Sequence, residues 1–244
     1  MRAANAADVE VIERNPCGER RRPFRDPICL IDKCRTKLNT FWLKTTYPFS
    51  YFGENASIHH SCDIDRGVAQ KISLGNHVYL APDVWLNVEC HDNDPEPVIL
   101  LGDGSRVGRR STISAKNSIV LEEDVLVAPS VLIMDHNHEY SNPSVPIHAQ
   151  GTTPGGTIVI GRNSWLGYGA VVFCSRAKLE LGRNCVVGAL SVVTCGFPAN
   201  SVVAGNPARL IKRFDQTSGL WVKSDEREVG DTFGDTLKIY PPRP

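Results

Sequence analysis

Five times along the chain, three aliphatic residues fall six positions apart: Leu74/Leu80/Leu86, Leu101/Val107/Ile113, Leu121/Val127/Ile133, Ile160/Leu166/Val172 and Leu181/Val187/Val193. The residue four after each of the first two aliphatics in a triad is always small or β-branched: Val78, Val84, Ser105, Ser111, Val125, Val131, Ser164, Ala170, Cys185 and Ser191. Helices repeat their faces every 3.6 residues and strands every 2, so neither alone gives this pattern. A six-residue period fits a short strand followed by a tight corner, and three such sides close a triangular coil. Glycine follows the inward aliphatic at 75, 102, 108, 161, 167, 182 and 188, with Ala81 and Ala128 standing in at two others. Glycine there is expected because the backbone turns tightly. Such coils stack as parallel strands about 4.8 Å apart. No coil buries its own interior, so stability comes from its neighbours. Ile58 and Ile64 mark a weaker sixth coil that opens the stack.

The spacing between triads sets the organisation. An uninterrupted helix would take six residues from one triad to the next, whereas Leu86 to Leu101 takes 15, Ile113 to Leu121 takes 8, Ile133 to Ile160 takes 27 and Val172 to Leu181 takes 9. Every insertion therefore falls at one corner of the triangle, and the longest loop, 134–157, is expected to wall a groove there. Residues 1–54 read as an arm and a capping helix, 55–206 as the β-helix, and 207–244 as a C-terminal helix and tail. The first helix is expected over Ile31–Lys44, with Leu38, Phe41, Trp42 and Leu43 among lysines and an arginine. A brief helix is expected over Pro207–Phe214, with its proline in the first turn.

The 244 residues carry 27 basic and 27 acidic side chains, so no overall field argues for nucleic acid. Arg20, Arg21, Arg22 and Arg25 beside Pro23 and Pro27 read as a solvated arm. There is no apolar run of membrane-spanning length and no signal-type leader, which places the expected protein in the cytoplasm. The eight cysteines show no Cys-x-x-Cys pair and are expected to be free thiols.

Together, the hexapeptide coils, the loop Asp135-His136-Asn137-His138-Glu139-Tyr140, the run from Ile158 to Gly167 and the closing Gly205-Asn206-Pro207-Ala208-Arg209 resemble the hexapeptide-repeat acetyltransferases. The resemblance covers residues 55–213 and is strongest to the maltose and galactoside O-acetyltransferases and their capsule and lipopolysaccharide relatives. It implies an all-β fold, a left-handed parallel β-helix of about six coils, whose hand spacing alone does not give. It also implies a homotrimer with sites between subunits and acetyl-CoA as co-substrate, with no metal. The expected reaction is acetyl transfer to a sugar hydroxyl.

An alcohol attacking a thioester must lose its proton, and a histidine serves this best. The position matching the family's catalytic histidine is His138. His136 is the near competitor, as an orienting or acceptor-binding group, and Asp135 or Glu139 is expected to hold the imidazole tautomer. Asp135, His136, Asn137, Tyr140 and Arg110 are the candidate acceptor-binding residues. For the cofactor, the matched positions are Trp165 and Gly167 along the pantetheine, Ala189, Thr194, and Arg209 with Lys212 near the phosphates. Backbone N–H groups of the glycine corners are expected to serve the oxyanion. Cys195 stands where sugar-acetylating members carry a lysine, and Arg109-Arg110 where they carry an asparagine. The latter departure points to an anionic or nucleotide-linked acceptor. N-acetylation of an amino sugar, a zinc enzyme of γ-carbonic anhydrase type and a non-catalytic scaffold are the competing readings. A covalent acetyl-cysteine route through Cys174 or Cys195 is disfavoured, because neither lies beside a base.

Overall fold

All fifteen triad aliphatics point into one interior, none more than 2% exposed, and the ten small residues between them are buried alongside. The computed structural model describes residues 27–89 and 96–224. The arginine run, Cys17, Cys90, His91 and the tail beyond Ser224 lie outside them.

The first coil comprises β1 (Tyr51–Phe52), β2 (Ser57–Ile58) and β3 (Asp63–Ile64); the second, β4 (Ile72–Leu74), β5 (Tyr79–Leu80) and β6 (Trp85–Val88). The third is β7 (Ile99–Leu101), β8 (Arg106–Val107) and β9 (Thr112–Ala115), and the fourth β10 (Ser118–Leu121), β11 (Leu126–Val127) and β12 (Leu132–Met134). The fifth is β13 (Thr157–Ile160), β14 (Trp165–Leu166) and β15 (Val171–Phe173); the sixth, β16 (Lys178–Leu181), β17 (Val186–Val187) and β18 (Val192–Val193). Successive coils pair in register, giving three parallel sheets: A from the first strand of each coil, B from the second and C from the third. Each triad aliphatic lies directly above its counterpart, as in Leu101↔Leu121↔Ile160. Buried serines join coils: the Ser105 hydroxyl donates to Glu122 O at 2.8 Å and accepts from Val125 N at 3.2 Å. A buried hydroxyl that meets both a carbonyl and an amide carries no desolvation deficit.

The corner glycines have a different cause from the one expected. None of the seven has positive φ; the left-handed position comes two residues later, at His77, Asp83, Arg110, Asp124, Ser130, Asn163, Asn184 and Leu190 among others. What demands glycine is clearance, since a Cβ on Gly102 would sit 2.6 Å from Glu122 C, and one on Gly161 2.5 Å from Arg183 N. At the corner between sheets A and B an amide ladder forms, Asn163 Nδ2 donating to Asn184 Oδ1 and Asn184 Nδ2 to Asn200 Oδ1, each at 2.8 Å.

Both ends of the stack are covered. Helix α1 (Pro27–Thr46) is longer than expected and lies on the open edge of β2, where Thr40 Oγ1 donates to Ile58 O at 3.1 Å and accepts from Ile58 N at 3.0 Å. Leu43 enters the core, while Leu38, Phe41 and Trp42 stay exposed. At the other end β19 (Ser201–Gly205) continues sheet B in parallel. The helix expected over Pro207–Phe214 is instead a strand, β20 (Ala208–Asp215), antiparallel to β19 and followed by antiparallel β21 (Leu220–Lys223). The open edge of β19 is a row of unpaired donors and acceptors, and a returning hairpin satisfies it where a helix could not. Gly205, at φ +106, makes that reversal possible.

Candidate active site

The four insertions lie where the spacing puts them, between sheets C and A, after β6, β9, β12 and β15. The long loop leaves β12 at Asp135, whose side chain is fully buried. Its Oδ1 accepts from Lys116 N at 2.7 Å and its Oδ2 from Asn117 N and Ser118 N, both at 2.8 Å. These three amides turn the chain between β9 and β10, so the carboxylate closes the turn of the coil below. The remaining position on Oδ1 is taken by His136 Nδ1 at 3.0 Å. A carboxylate only accepts, so Nδ1 carries the proton and Nε2 the free lone pair. His136 is itself only 7% exposed.

The two limbs of the loop then form a short ribbon. Asn137 N donates to Thr153 Oγ1 at 3.0 Å, Thr153 N to Asn137 O at 2.8 Å and Glu139 N to Gly151 O at 2.9 Å, with His138 bridged to Thr152. Lys116, absent from the sequence reading, reaches up from the lower coil and donates to Thr152 Oγ1 at 2.7 Å and Thr153 O at 2.6 Å. Arg176 from the upper coil pairs with Glu139. Glu139 is therefore spoken for, and Asp135 is the carboxylate that holds an imidazole. His138 stands at the head of this braced stem with an exposed ring, which receives no hydrogen bond among the described residues; its main-chain N–H is held by Asn137 Oδ1 at 2.9 Å. Tyr140 lines a concavity of the loop with Asn142, Val145, Pro146, Ile147 and Gln150.

The matched cofactor positions fall mostly on another face. Trp165, 48% exposed, heads an outward row of sheet B that runs through Val186 and Val202 to Lys212. Three strand steps of about 4.8 Å put the two ends roughly 14 Å apart. Arg209 is exposed on the same strand as Lys212, opposite Ala204. Gly167 and Ala189 stack at the corner between sheets B and C, where a Cβ on Gly167 would lie 2.7 Å from Ala189 N. Arg110 occupies the same corner two coils lower, at φ +57 and 4.0 Å from Asp83. The loop histidines lie at the opposite edge of sheet C, as does Thr194, one residue past β18. Crossing that sheet along the four residues of β9 takes roughly 13 Å. One chain thus does not bring Arg110, Gly167 or Ala189 to His138.

The oxyanion expectation is corrected. The N–H groups of Gly75, Gly102, Gly108, Gly161, Gly167, Gly182 and Gly188 all donate to carbonyls of the next coil, as Gly167 N does to Val187 O at 2.8 Å. They are committed to stacking. Burial pushes the Cys195 thiol up, against the nearby Arg209, which leaves little thiolate for a covalent route.

No protein-family model matches the chain. It is 34% identical over 134 residues to an Escherichia coli K12 protein named "Putative lipopolysaccharide biosynthesis O-acetyl transferase WbbJ", a match covering 52% of this chain and 66% of that one. It is 30% identical over 147 residues to the galactoside O-acetyltransferase of the same organism, covering 59% of this chain and 64% of that one. The chain is similar in sequence to the hexapeptide-repeat acetyltransferases. The matched segments span about half to two thirds of the curated relatives' own length. In fold it resembles the Bacillus cereus N-acyltransferase AntD, solved with dTDP and 3-hydroxybutyryl-CoA, at TM-score 0.58 and 19% identity over 73% of this chain and 89% of that one. The stack is the left-handed parallel β-helix of this family, with the six full coils the repeat implied.

Proposed function

We propose that the protein is an acetyl-CoA-dependent O-acetyltransferase that acts on a sugar hydroxyl in polysaccharide or glycoconjugate synthesis. The observation that carries this reading is an accessible imidazole, His138, on a stem braced at both limbs. In the reaction, His138 takes the proton of the acceptor hydroxyl as its oxygen attacks the thioester carbon. The tetrahedral intermediate then collapses, the C–S bond breaks, and the imidazolium returns the proton to the departing CoA sulfur. Trp165 offers a flat apolar surface to the pantetheine, Thr194 borders the cofactor path, and Arg209 and Lys212 offer cationic partners to its phosphates. Asn137 and Tyr140 flank the base as acceptor contacts, and Arg110 favours an anionic acceptor.

The site needs more than one chain. His138 and the Gly167–Ala189 corner lie at opposite edges of sheet C, so the base of one copy completes its site on the sheet B face of the next. A homotrimer places three such pairings around one axis. The exposed Leu38, Phe41 and Trp42 of α1 support association, since apolar surface of this kind is usually covered. No helix among the described residues is long and apolar enough to cross a membrane. We place the reaction in the cytoplasm, where acetyl-CoA is available.

A second assignment of the base rests on the Asp135–His136 pair, which has the geometry of an oriented dyad. Its near-complete burial favours an anchoring role. Thiol release from acetyl-CoA against a panel of sugars and nucleotide sugars separates the two. His138→Ala should lower kcat by about 10²–10⁴-fold, the usual worth of a general base, while His136→Ala retains most turnover at saturating acceptor. The reverse order makes His136 the base. No release with any acceptor, together with no binding of CoA, overturns the transferase reading.

A further inference from the structure

Away from the loop, at the end of the stack covered by α1, three metal-ligating side chains converge. Asp32 lies on α1, and His59 and His60 lie directly after β2. His59 Nε2 is 3.4 Å from Asp32 Oδ2, and His60 Nδ1 is 3.6 Å from Asp32 Oδ1. All three ligand atoms fall within 4.8 Å of one another. Both carboxylate separations are longer than a good N–H···O hydrogen bond, which lies at about 2.7–3.2 Å. Each is near the ligand–ligand spacing around a zinc-class ion, about 3.3 Å for ligands at roughly 2.0–2.1 Å, with the two imidazoles facing different oxygens of the one carboxylate.

We propose that Asp32, His59 and His60 bind a first-row divalent ion of the zinc class, which pins α1 to the first coil. Two imidazoles and one carboxylate suit such ions better than magnesium or calcium, which prefer oxygen alone. The surroundings fit as well. His59 Nδ1 lies 2.9 Å from Ser61 Oγ and accepts from Ser61 N at 3.2 Å, and Ser61 Oγ accepts from Asp83 N at 2.9 Å, so the ring is held with Nε2 facing Asp32. Thr36 Oγ1, one turn along α1 from Asp32 and 3.5 Å from His60 Nδ1, borders the fourth position, where a water completes the shell. The two rings stand 4.3 Å apart, so both imidazoles reach the same small space. The ion would join residues 27 apart in sequence and strengthen a helix otherwise tied to β2 by the Thr40–Ile58 hydrogen bonds. This site is separate from the transfer chemistry, which needs no metal.

The test uses the full chain, freed of metal by a chelator and titrated with Zn²⁺ by calorimetry, and with Co²⁺ by visible absorption. Expected are one ion per chain, the intense bands of four-coordinate cobalt, and a higher melting temperature with Zn²⁺. Asp32→Asn, His59→Gln and His60→Gln should each weaken binding at least tenfold, while the paired variant His136→Gln/His138→Gln leaves it unchanged. Asp32 is half exposed on the helix, so Asp32→Asn retains the fold, which far-UV dichroism checks. Absence of saturable binding overturns the proposal. So does binding that survives all three single substitutions or disappears only in the loop variant.

Discussion

Asp135→Asn is a stringent test of how the long loop is anchored, because the change is isosteric and replaces an acceptor oxygen with a donor group. The carboxylate takes four donors: Lys116 N and His136 Nδ1 on one oxygen, Asn117 N and Ser118 N on the other. An amide keeps one oxygen and presents an NH₂ group to the other two donors, leaving two N–H groups at a buried site without a partner. Each orphaned donor costs about 1–3 kcal/mol, so the loss is about 2–6 kcal/mol. Local opening to water should hold it near the lower half, about 3 kcal/mol. For a domain of this size that lowers the melting temperature by roughly 6–12 °C. Urea unfolding followed by far-UV dichroism, at matched protein concentration, reads it directly. His136→Ala should cost less in the Asp135→Asn background than in the native chain, since the two side chains share one bond. Stability of Asp135→Asn within 0.5 kcal/mol of native would refute the idea that this carboxylate closes the turn.

Three further outcomes follow from the same geometry. Gly167→Ala sets a Cβ 2.6 Å from Val187 O, backbone that cannot retreat without parting the coils, and should destabilise by about 1–3 kcal/mol in the same assay. Burial pushes the Cys62 thiol to about 11, above its unfolded value, so folding stability is intact below the unfolded value and falls as pH rises toward 11; urea unfolding at pH 8 and 10.5 should show the loss, and Cys62→Ala should flatten it. Lys116→Met removes the cation that holds Thr152 and Thr153, and should expose the loop to limited proteolysis between residues 140 and 150 while the coils stay intact.

The fold was legible because the β-helix writes its geometry into a strict spacing. Fifteen aliphatics and ten small residues share one interior, and a shift of any one would expose it. The insertion corner followed from counting alone. The C-terminal segment was misread because Pro207-Ala208-Arg209-Leu210-Ile211-Lys212-Arg213-Phe214 has good helix formers; what decides its state is the open edge of β19, a tertiary fact no local propensity encodes. The glycine corners were found, but for the wrong reason, since close approach between coils is a contact across some twenty residues. At the site, Asp135 and His136 were named from the loop motif, yet the bonds that define their roles were not readable. Lys116 carried no signal at all, because its partners Thr152 and Thr153 lie 36 and 37 residues away.

The architecture limits how much of so rigid a fold is left for chemistry. A stacked coil spends its backbone polar groups on its neighbours, as the seven corner glycines show, so little of the prism is free to meet a substrate. Side chains on its outward rows, such as the one from Trp165 to Lys212, provide flat surface without enclosure. Enclosure must come from an insertion, and insertions are tolerated at the corner between sheets C and A, where the spacing between triads varies. The loop that results is fastened by Asp135 and Lys116 to the coil below and by Arg176 to the coil above, which fixes where His138 is presented. That point lies a sheet's width from the Gly167–Ala189 corner of its own chain. On the proposed reading, apposing the two falls to a second copy, and an assembly-breaking substitution should then abolish turnover while leaving the unfolding of the single prism largely unchanged.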